Sequence, residues 1–205
     1  MTGVIGDSAG PDALLPRGEV WLVRHAETEW SKTGRHTGRT DISLTDTGRA
    51  AACALAPRLA GHAFAQVRVS PLGRARETAT LAGVDLDAAG VVVDDDLQEW
   101  DYGDYEGLTT PEIREDRPGW VLWNDGVPGG EDADDIAARV DRVLVEVCAV
   151  DGDVLLVAHG HLLRVLGARW LAQPPTFGAR LILDPGGICV LGQERGRRAV
   201  RRWNS

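Results

Sequence analysis

Cysteine is scarce in this sequence, which has three cysteines among 205 residues. Cys53, Cys148 and Cys189 are scattered and odd in number, which fits neither a disulfide framework nor a zinc knuckle. Free, scattered cysteines are typical of a reducing compartment. We therefore expect a protein without structural disulfides and a cytoplasmic location.

Long apolar runs are also missing. No run reaches the roughly 18 residues that a membrane-spanning helix needs, so we expect no membrane partner. Residues 1–18 have neither a basic start nor a continuous apolar stretch, and they do not read as a signal peptide. Their glycine, proline and aspartate content predicts a loose N-terminal leader, followed by a single domain over residues 19–205.

Positive charge is in deficit. The chain has 22 Lys and Arg against 31 Asp and Glu, which gives a formal net charge of −9. General attraction to nucleic acid is therefore not expected. An anionic ligand would have to be held by a local cluster of cations. Hydrophobic residues make up 43% of the chain, which is typical of a chain that buries a core and not of a disordered one.

Short apolar runs alternate with helical periodicities along the chain. This order predicts an α/β fold, a three-layer α/β/α sandwich with a mainly parallel central sheet. Strands are predicted at 19–24, 66–69, 90–93 and 154–158, with short strands after about residue 180. Helices are predicted at 45–60, 72–82, 131–149 and 162–171. Thr45 is the expected N-cap of the first helix, and Pro57 is expected to bend or shorten it. Residues 25–44 read as a functional loop, and residues 94–130 as irregular with short helical pieces near 110–117.

Two of the apolar strands end on histidine. One strand runs into Arg24 and His25, and the other runs into His159. Ligands of parallel sheets bind beyond the carboxyl ends of the strands, so we expect these residues to share one site. An arginine can grip two phosphate oxygens, and a neutral imidazole can attack phosphorus. A second imidazole, if protonated, would donate to a phosphoryl oxygen. Taken alone, Arg24 and His25 could equally be a partly exposed pair that caps the end of a strand, and this alternative stays open.

Further polar groups are expected at the same edge. Arg74 lies in the first turn of a helix whose N–H groups point towards that edge. Hydrolysis through a phosphohistidine also needs a proton for the leaving oxygen and then a base for water. The acidic stretch 97–107 can supply one carboxyl group for both steps. Composition alone does not separate its four candidates, which are Glu99, Asp101, Asp104 and Glu106.

Other aromatic and imidazole groups have two readings. His161 is a third candidate imidazole, but the leucines that follow it indicate a helix, so it could equally face solvent or cap that helix. Trp30, Trp100 and Trp123 lie in predicted loops and could form the walls of a pocket, while ordinary packing explains them equally well.

The order of these motifs resembles the histidine phosphatase superfamily, also called phosphoglycerate mutase-like. The resemblance runs from about residue 19 to residue 192. Its motifs are Val23-Arg24-His25-Ala26-Glu27-Thr28, then Thr37-Gly38, then Ser70 to Arg74 with Thr78, then Glu99 with Tyr102-Gly103 and Glu106-Gly107, then His159-Gly160. Each motif alone is weak, whereas five of them in this order are highly specific.

The resemblance implies roles for the matching residues. It implies that His25 is the phosphorylated nucleophile and that Glu99 is the proton donor. It places Arg24, Arg74 and His159 in the rest of the phosphate pocket. The positions implied to line the phosphate or substrate pocket are Ser31, Thr37, Gly38, Tyr102 and Gly160. No metal and no other cofactor is implied.

Some residues depart from the family pattern. Ala26 stands where a glycine usually follows the nucleophile, and its methyl should be tolerated if the backbone there is in an ordinary region. Ser31 stands where mutases commonly have asparagine. Between residues 107 and 131 only Arg114 and Arg117 could grip the second anionic group of a mutase substrate. The motifs resemble most the fungal sedoheptulose-1,7-bisphosphatase type and a set of actinobacterial acid phosphatases.

The sequence therefore predicts a phosphatase that hydrolyses phosphate monoesters of small metabolites, sugar phosphates among them, through a phosphohistidine. Its predicted partner is a small phosphate ester, with no nucleic acid and no membrane, and a homodimer stays open. Three alternatives are a phosphoglycerate mutase, a non-catalytic binder of phosphorylated ligands and a metal hydrolase built on His25, His159 and His161. The metal site is disfavoured because side chains at positions 159 and 161 should diverge.

Overall fold

The computed structural model describes residues 14–205 of the chain. Residues 1–13 of the predicted leader lie outside this part. Just before the first strand, the carbonyl of Leu14 accepts a hydrogen bond of 2.9 Å from Nε of Arg198, near the other end of the chain. Between residues 14 and 205, none of the helices combines the length and the apolar character that crossing a membrane requires.

Six strands form one sheet in the order β3-β2-β4-β1-β5-β6. Their bounds are β1 Val20–Arg24, β2 Phe64–Val69, β3 Val91–Val93, β4 Asp153–Ala158, β5 Ile188–Glu194 and β6 Arg197–Arg202. Strands β3, β2, β4 and β1 are mutually parallel, whereas β5 and β6 run antiparallel to their neighbours. The predicted α/β class with a mainly parallel sheet is confirmed.

The helices lie on both faces of this sheet. Within residues 14–205 they are α1 Glu29–Thr33, α2 Asp46–Leu59, α3 Gly73–Leu81, α4 Thr110–Asp116, α5 Leu122–Asp125, α6 Ala133–Ala149 and α7 Gly160–Trp170. Helices α6 and α7 pack in one hydrophobic core, and α2 and α3 pack in the other. Short 3₁₀ helices occupy Asp95–Leu97, Gly103–Tyr105 and Pro175–Arg180.

Alternate residues of the central strands enter different cores. Leu22 and Leu156 point into the core of α6 and α7, while Val23 and Val157 point into the core of α2 and α3. All four are buried to 99% or more. Side chains of a strand alternate between faces, and strands covered on both faces need apolar residues at every position. This explains the unbroken apolar runs that predicted these strands.

Most predicted element bounds are confirmed to within about two residues. Thr45 caps α2, because its Oγ accepts the N–H of Gly48 at 2.9 Å. Pro57 lies inside α2, which ends two residues later. Helix α6 begins after Asp132, whose Oδ1 accepts the N–H groups of Asp134 and Asp135 at 2.8 and 2.9 Å. The predicted helical piece near 110–117 is α4, whereas α1 lies in a segment that the sequence predicted to be loop.

Candidate active site

Three strand ends come together at one edge of the sheet. Parallel pairing sets Arg24 beside Ala158, so the next residues, His25 and His159, are neighbours. The N–H of His25 donates to the carbonyl of Ala158 at 2.8 Å, which extends the ladder by one residue. Ser70 follows β2 in the same way, with its N–H 3.0 Å from the carbonyl of Val157. The pairing of β1, β4 and β2 therefore places the three side chains next to each other.

The His25 ring has one nitrogen fixed by the backbone. Its Nδ1 lies 2.8 Å from the carbonyl of Ala26, and because a carbonyl can only accept, Nδ1 carries the proton. The lone pair is then on Nε2. Burial lowers the pKa of His25 well below its usual value, and the charges of Arg74 and Arg24 lower it further. His25 is thus a neutral imidazole at physiological pH, the form that can act as a nucleophile.

His159 is fixed through Ser70. Its Nε2 lies 2.7 Å from the Ser70 hydroxyl, which also accepts the N–H of Leu72 at 3.4 Å. We therefore assign the hydroxyl proton to the bond with Nε2, which leaves the ring proton on Nδ1. Burial lowers the pKa of His159 well below its usual value, and the nearby cationic and imidazole groups add to the effect. The sequence left the protonation of this second imidazole open, and the lowered pKa favours the neutral ring. The neutral ring can still donate to a phosphoryl oxygen, through its Nδ1–H.

Two arginines are held by backbone carbonyls. Nη1 of Arg24 donates to Leu183 at 2.6 Å. The Arg74 guanidinium donates to the carbonyls of Thr40, Thr37 and Gly38 at 2.9, 3.0 and 2.7 Å. Burial lowers the pKa of both guanidinium groups, although arginine stays charged in proteins. Carbonyl anchors orient these charges without neutralising them.

Three buried nitrogens lack a hydrogen-bond partner among residues 14–205. They are Nε of Arg24, Nε of Arg74 and Nδ1 of His159. The rings of His159 and His25 are 5.1 Å apart, and both arginines act on the pKa of both histidines. Buried donors without a partner are costly, and two of these belong to cations. These donors favour an anion as the ligand of this region. Arg24 and His25 line the cavity at this edge of the sheet, whereas Arg74 and His159 are fully buried and do not line it.

A cavity of about 270 Å³ opens on His25. Its lining residues are mostly polar and comprise Arg24, His25, Ser31, Gly34, Arg35, His36, Thr37, Glu99, Tyr102, Thr110 and His161. A larger cavity of about 480 Å³ lies between the ends of α2 and α3 and strands β2 and β3. Its walls are mainly apolar, and no arginine or lysine lines it. It therefore offers no permanent positive charge to an anion. The smaller cavity is the one suited to phosphate chemistry.

Glu99 lies between this cavity and the start of α7. Its Oε1 accepts the N–H groups of Trp100 and Leu162, both at 2.9 Å, and its Oε2 accepts that of His161 at 3.0 Å. The His159 side chain makes no capping bond, so Glu99 caps the helix from a distant segment. This cap explains why α7 begins at Gly160 and not at the predicted residue 162.

The other acidic candidates are engaged elsewhere. Asp101 pairs with Arg39 at 2.8 Å, and Glu106 accepts the N–H groups of Gly38 and Thr40. Neither these two nor Asp104 lines the 270 Å³ cavity, whereas Glu99 does. The structure thus separates four carboxyl groups that composition left equivalent.

A clamp from α6 holds the segment that carries Glu99. The Arg139 guanidinium donates to the carbonyls of Asp96, Gln98 and Glu99 at 2.7, 2.9 and 3.2 Å. It also pairs with Glu131 at 2.7 Å. No sequence motif indicated this contact, because it joins two segments that lie about forty residues apart in the chain.

The remaining pocket candidates fall into two groups. Thr37, Tyr102 and Ser31 line the cavity, although the Ser31 hydroxyl is also bonded to Thr28 in the cap of α1. Gly38 and Gly160 do not line it. The Gly38 carbonyl anchors Arg74, and a Cβ at Gly160 would lie 3.0 Å from Nε of Arg24. Gly38 therefore anchors Arg74, and Gly160 leaves the space that the Arg24 guanidinium occupies.

The alanine at position 26 fits its surroundings. Ala26 does not have a positive φ, so the missing glycine causes no backbone strain. Its methyl is fully buried with Leu44 and Ala52. Its N–H donates to the hydroxyl of Thr78 at 3.0 Å.

Some cavity residues were left open by the sequence or not predicted from it. His161, which the sequence left between a site imidazole and a residue that faces solvent or caps the helix, lines the cavity, and its Nδ1 lies 2.6 Å from the Tyr102 hydroxyl. Arg35, His36 and Thr110 also line the cavity. Of the three tryptophans, Trp123 lines an adjoining cavity, Trp100 is fully buried with its indole N–H on the carbonyl of Glu131, and Trp30 packs beside Gly107.

Between residues 14 and 205 no three or more His, Cys, Asp and Glu side chains are grouped so that they could hold a metal ion. His159 bonds to Ser70 and His161 to Tyr102, so the two side chains diverge as the spacing predicted.

Comparisons with known proteins show the family of this chain. The model of the histidine phosphatase superfamily, branch 1, matches residues 20–205. An acid phosphatase of Mycobacterium tuberculosis is 42% identical over 188 residues, which cover 87% of this chain and 88% of that protein. The sedoheptulose 1,7-bisphosphatase of Saccharomyces cerevisiae is 36% identical and covers 77% of this chain and 68% of its own length.

Solved structures show the same relationship. A mycobacterial glucosyl-3-phosphoglycerate phosphatase, solved in complex with VO3, superposes with a TM-score of 0.81 at 32% identity, covering 92% of this chain and 99% of its own. The family match spans the strand ends, the arginines and the carboxylate described above. The chain belongs to the histidine phosphatase superfamily, branch 1, and is a phosphatase.

Proposed function

We propose that this chain hydrolyses phosphate monoesters of small hydroxylated metabolites, sugar phosphates among them, by two in-line transfers at His25. The observation that carries the proposal is the group of three unpartnered nitrogens around His25, from Arg24, Arg74 and His159. Such a group suits a phosphoryl group whose charge is spread over its oxygens. The relatives whose names mention sedoheptulose bisphosphate and glucosyl-3-phosphoglycerate act on sugar-derived esters, which supports this substrate class.

In the first transfer, the Nε2 lone pair of His25 attacks phosphorus and the bond between phosphorus and the ester oxygen breaks. Glu99, the carboxylate that caps α7, takes a proton from the bound ester in its monoanionic form and gives it to the departing oxygen. Oε2 of Glu99 accepts one N–H group, so it keeps a lone pair on which to hold that proton. Arg24, Arg74 and Nδ1–H of His159 donate to the phosphoryl oxygens throughout.

In the second transfer, a water attacks the phosphohistidine. Glu99, now a carboxylate, takes the proton of that water. The bond between phosphorus and Nε2 breaks, and the electron pair returns to His25 as its lone pair. Inorganic phosphate leaves with the proton that Glu99 took from the water, and Glu99 is again the carboxylate that caps α7.

The positions of Arg114 and Arg117 favour a phosphatase over a mutase. A mutase needs cations that hold the second anionic group of its substrate, and these two arginines were the sequence's candidates for that role. Nη1 of Arg117 donates to the Tyr105 hydroxyl at 3.2 Å, and Arg117 lines neither of the cavities that meet at His161. Arg114 is exposed, with Nε on the carbonyl of Trp120. Neither residue lines the cavity at His25, and of the two only Arg114 lines the cavity beside it, so a second anionic group would meet one arginine and not a pair. A non-catalytic binder is disfavoured because nucleophile, donors and carboxyl group are all present.

The partner set follows from the same features. A net charge of −9 disfavours nucleic acid, so we expect a small phosphate ester. Cytoplasmic location stays a prediction, which the three free cysteines support. A homodimer is equally a prediction, and sedimentation velocity at several protein concentrations would test it.

The proposal is tested by trapping the intermediate. The enzyme is mixed with a radiolabelled substrate, quenched, and assayed for acid-labile, alkali-stable label. We expect label on the wild type, none on His25→Ala, and label on the control His62→Ala, which changes an exposed histidine outside the site. Turnover of the wild type without label on His25 would overturn the proposal. Incubation with 3-phosphoglycerate and its bisphosphate primer should release phosphate, whereas 2-phosphoglycerate as the product would establish the mutase.

A further inference from the structure

Two cavities meet at His161. The second has a volume of about 220 Å³ and is lined by His36, Thr110, Arg114, Trp120, Val121, Leu122, Trp123 and His161. It shares His36, Thr110 and His161 with the cavity at His25. A substrate whose phosphate lies against His25 therefore has the second cavity as the space for its leaving group. The residues at the junction would contact both parts of such a substrate.

The His161 ring is held in one tautomer. The Tyr102 hydroxyl lies 2.6 Å from its Nδ1. Burial raises the pKa of Tyr102 well above its usual value, and burial lowers that of His161 well below its own. Tyr102 therefore keeps its proton and donates to Nδ1 of a neutral ring. The ring proton of His161 is then on Nε2.

The His161 ring, which carries Nε2, lines both cavities. Among residues 14–205 the side-chain hydrogen bond of this ring is made by Nδ1, which leaves the Nε2–H donor free for a ligand. Aromatic neighbours fix its position, with the rings of Trp123 and Trp100 at 5.3 and 6.2 Å. The N–H of the same residue holds Oε2 of Glu99 at 3.0 Å. The residue that carries this donor thus also holds, through its backbone, the carboxyl group that protonates the ester oxygen.

We infer that His161 recognises the leaving group, donating from Nε2 to a hydroxyl oxygen on the carbon next to the ester carbon, and that Tyr102 is the positioning residue for this donor. The inference rests on the proposed function. Glu99 protonates the ester oxygen. The neutral donor on His161, the residue whose backbone holds Glu99, can then bind the next oxygen along the substrate. A neutral hydroxyl is the matching acceptor, because the groups at the junction, His36, Thr110 and His161, are uncharged.

A matched pair of substrates tests this inference. Glycerol 3-phosphate has a hydroxyl on the carbon next to the ester carbon, and n-propyl phosphate has the same carbon chain without it. The measured quantity is the ratio of kcat/KM for glycerol 3-phosphate to kcat/KM for n-propyl phosphate. One neutral hydrogen bond predicts that His161→Leu lowers this ratio by about 3- to 10-fold. His161→Gln, which keeps a side-chain donor, should recover part of the ratio.

Tyr102→Phe tests the positioning role. Without the hydroxyl, the proton of His161 can move to Nδ1 and Nε2 becomes an acceptor for part of the time, so the ratio should fall less than in His161→Leu. The double variant should show no further loss, because Tyr102 acts through His161. His62→Gln is the matched control, an exposed histidine outside both cavities, and should keep the wild-type ratio.

Three results would overturn the inference. The first is a wild-type ratio in His161→Leu with native-like urea unfolding, which includes equal losses on both substrates. The second is a ratio in His161→Gln as low as in His161→Leu, and the third is additive effects of the Tyr102 and His161 substitutions. The inference and the proposed function fail differently. If the wild type forms no phosphohistidine, the function itself is wrong. If it does so and the ratio does not respond to His161, the leaving-group role alone is wrong.

Discussion

Glu99→Gln should weaken the fold as well as the chemistry. The carboxylate accepts three backbone N–H groups through two oxygens, whereas an amide has one acceptor oxygen. In its best orientation the Gln oxygen keeps Trp100 and Leu162, and its NH₂ group then faces the N–H of His161. At least one charge-assisted hydrogen bond is lost, at about 1.5–3 kcal/mol. Loss of the negative charge at a helix N-terminus adds about 0.3–1 kcal/mol.

We therefore expect the free energy of unfolding to fall by about 2–4 kcal/mol. Urea unfolding, followed by the fluorescence of the seven tryptophans, measures it. Turnover of alkyl phosphates, which need a protonated leaving oxygen, should fall by about 10²- to 10⁴-fold. Aryl phosphates should lose less, and inhibition by vanadate should persist.

Asp132→Asn is the matched control for this prediction. It changes another carboxylate cap to an amide, but Oδ1 of Asp132 alone accepts both helix N–H groups. Asparagine keeps that acceptor, so the loss should be about 1 kcal/mol or less, with wild-type turnover. A change below about 0.5 kcal/mol in Glu99→Gln would refute the capping role.

Three further predictions concern the groups around the nucleophile. Ser70→Ala removes the partner of His159 and should lower kcat about 10- to 100-fold, while Ser70→Thr keeps the hydroxyl; equal rates in steady-state assays of both variants would contradict the assignment. Gly160→Ala places a Cβ 3.0 Å from Nε of Arg24, so vanadate should bind about 10-fold more weakly in an inhibition assay while urea unfolding shows no loss of stability. Burial lowers the pKa of His36 from 6.5 to about 4. Between those values the unfolded chain takes up a proton that the folded one does not, so stability falls as pH falls, and His36→Phe should reduce this slope by about 1.4 kcal/mol per pH unit; identical slopes in urea titrations would refute it.

The strand ends and the anion-binding arginines could be read from the sequence because local pattern decides them. An apolar run that stops at His25 or His159 marks the end of a buried strand, and parallel pairing then brings the two residues together. Arg74 follows from its place at a helix start. These inferences need no knowledge of distant contacts.

The lining of the cavity could not be read in the same way. Glu99 caps α7 across about sixty residues of chain, and Arg139 holds its segment from another helix. His161 faces the cavity because Tyr102 and Trp123 surround it. Such contacts depend on how residues 94–130 fold back on the sheet, which neither periodicity nor spacing specifies.

The backbone hydrogen bonds that continue past the ends of β1 and β2 fix the catalytic side chains independently of the loop over residues 107–130. Backbone hydrogen bonds attach His25 and Ser70 to β4, whose next residue is His159. A one-residue insertion in one of these three strands would turn the side chain at the end of that strand to the opposite face of the sheet. Insertions in residues 107–130 would reshape the chamber beside His161 and leave that ladder unaltered. New substrate preferences can therefore arise by loop exchange alone, with the phosphorylation chemistry inherited intact.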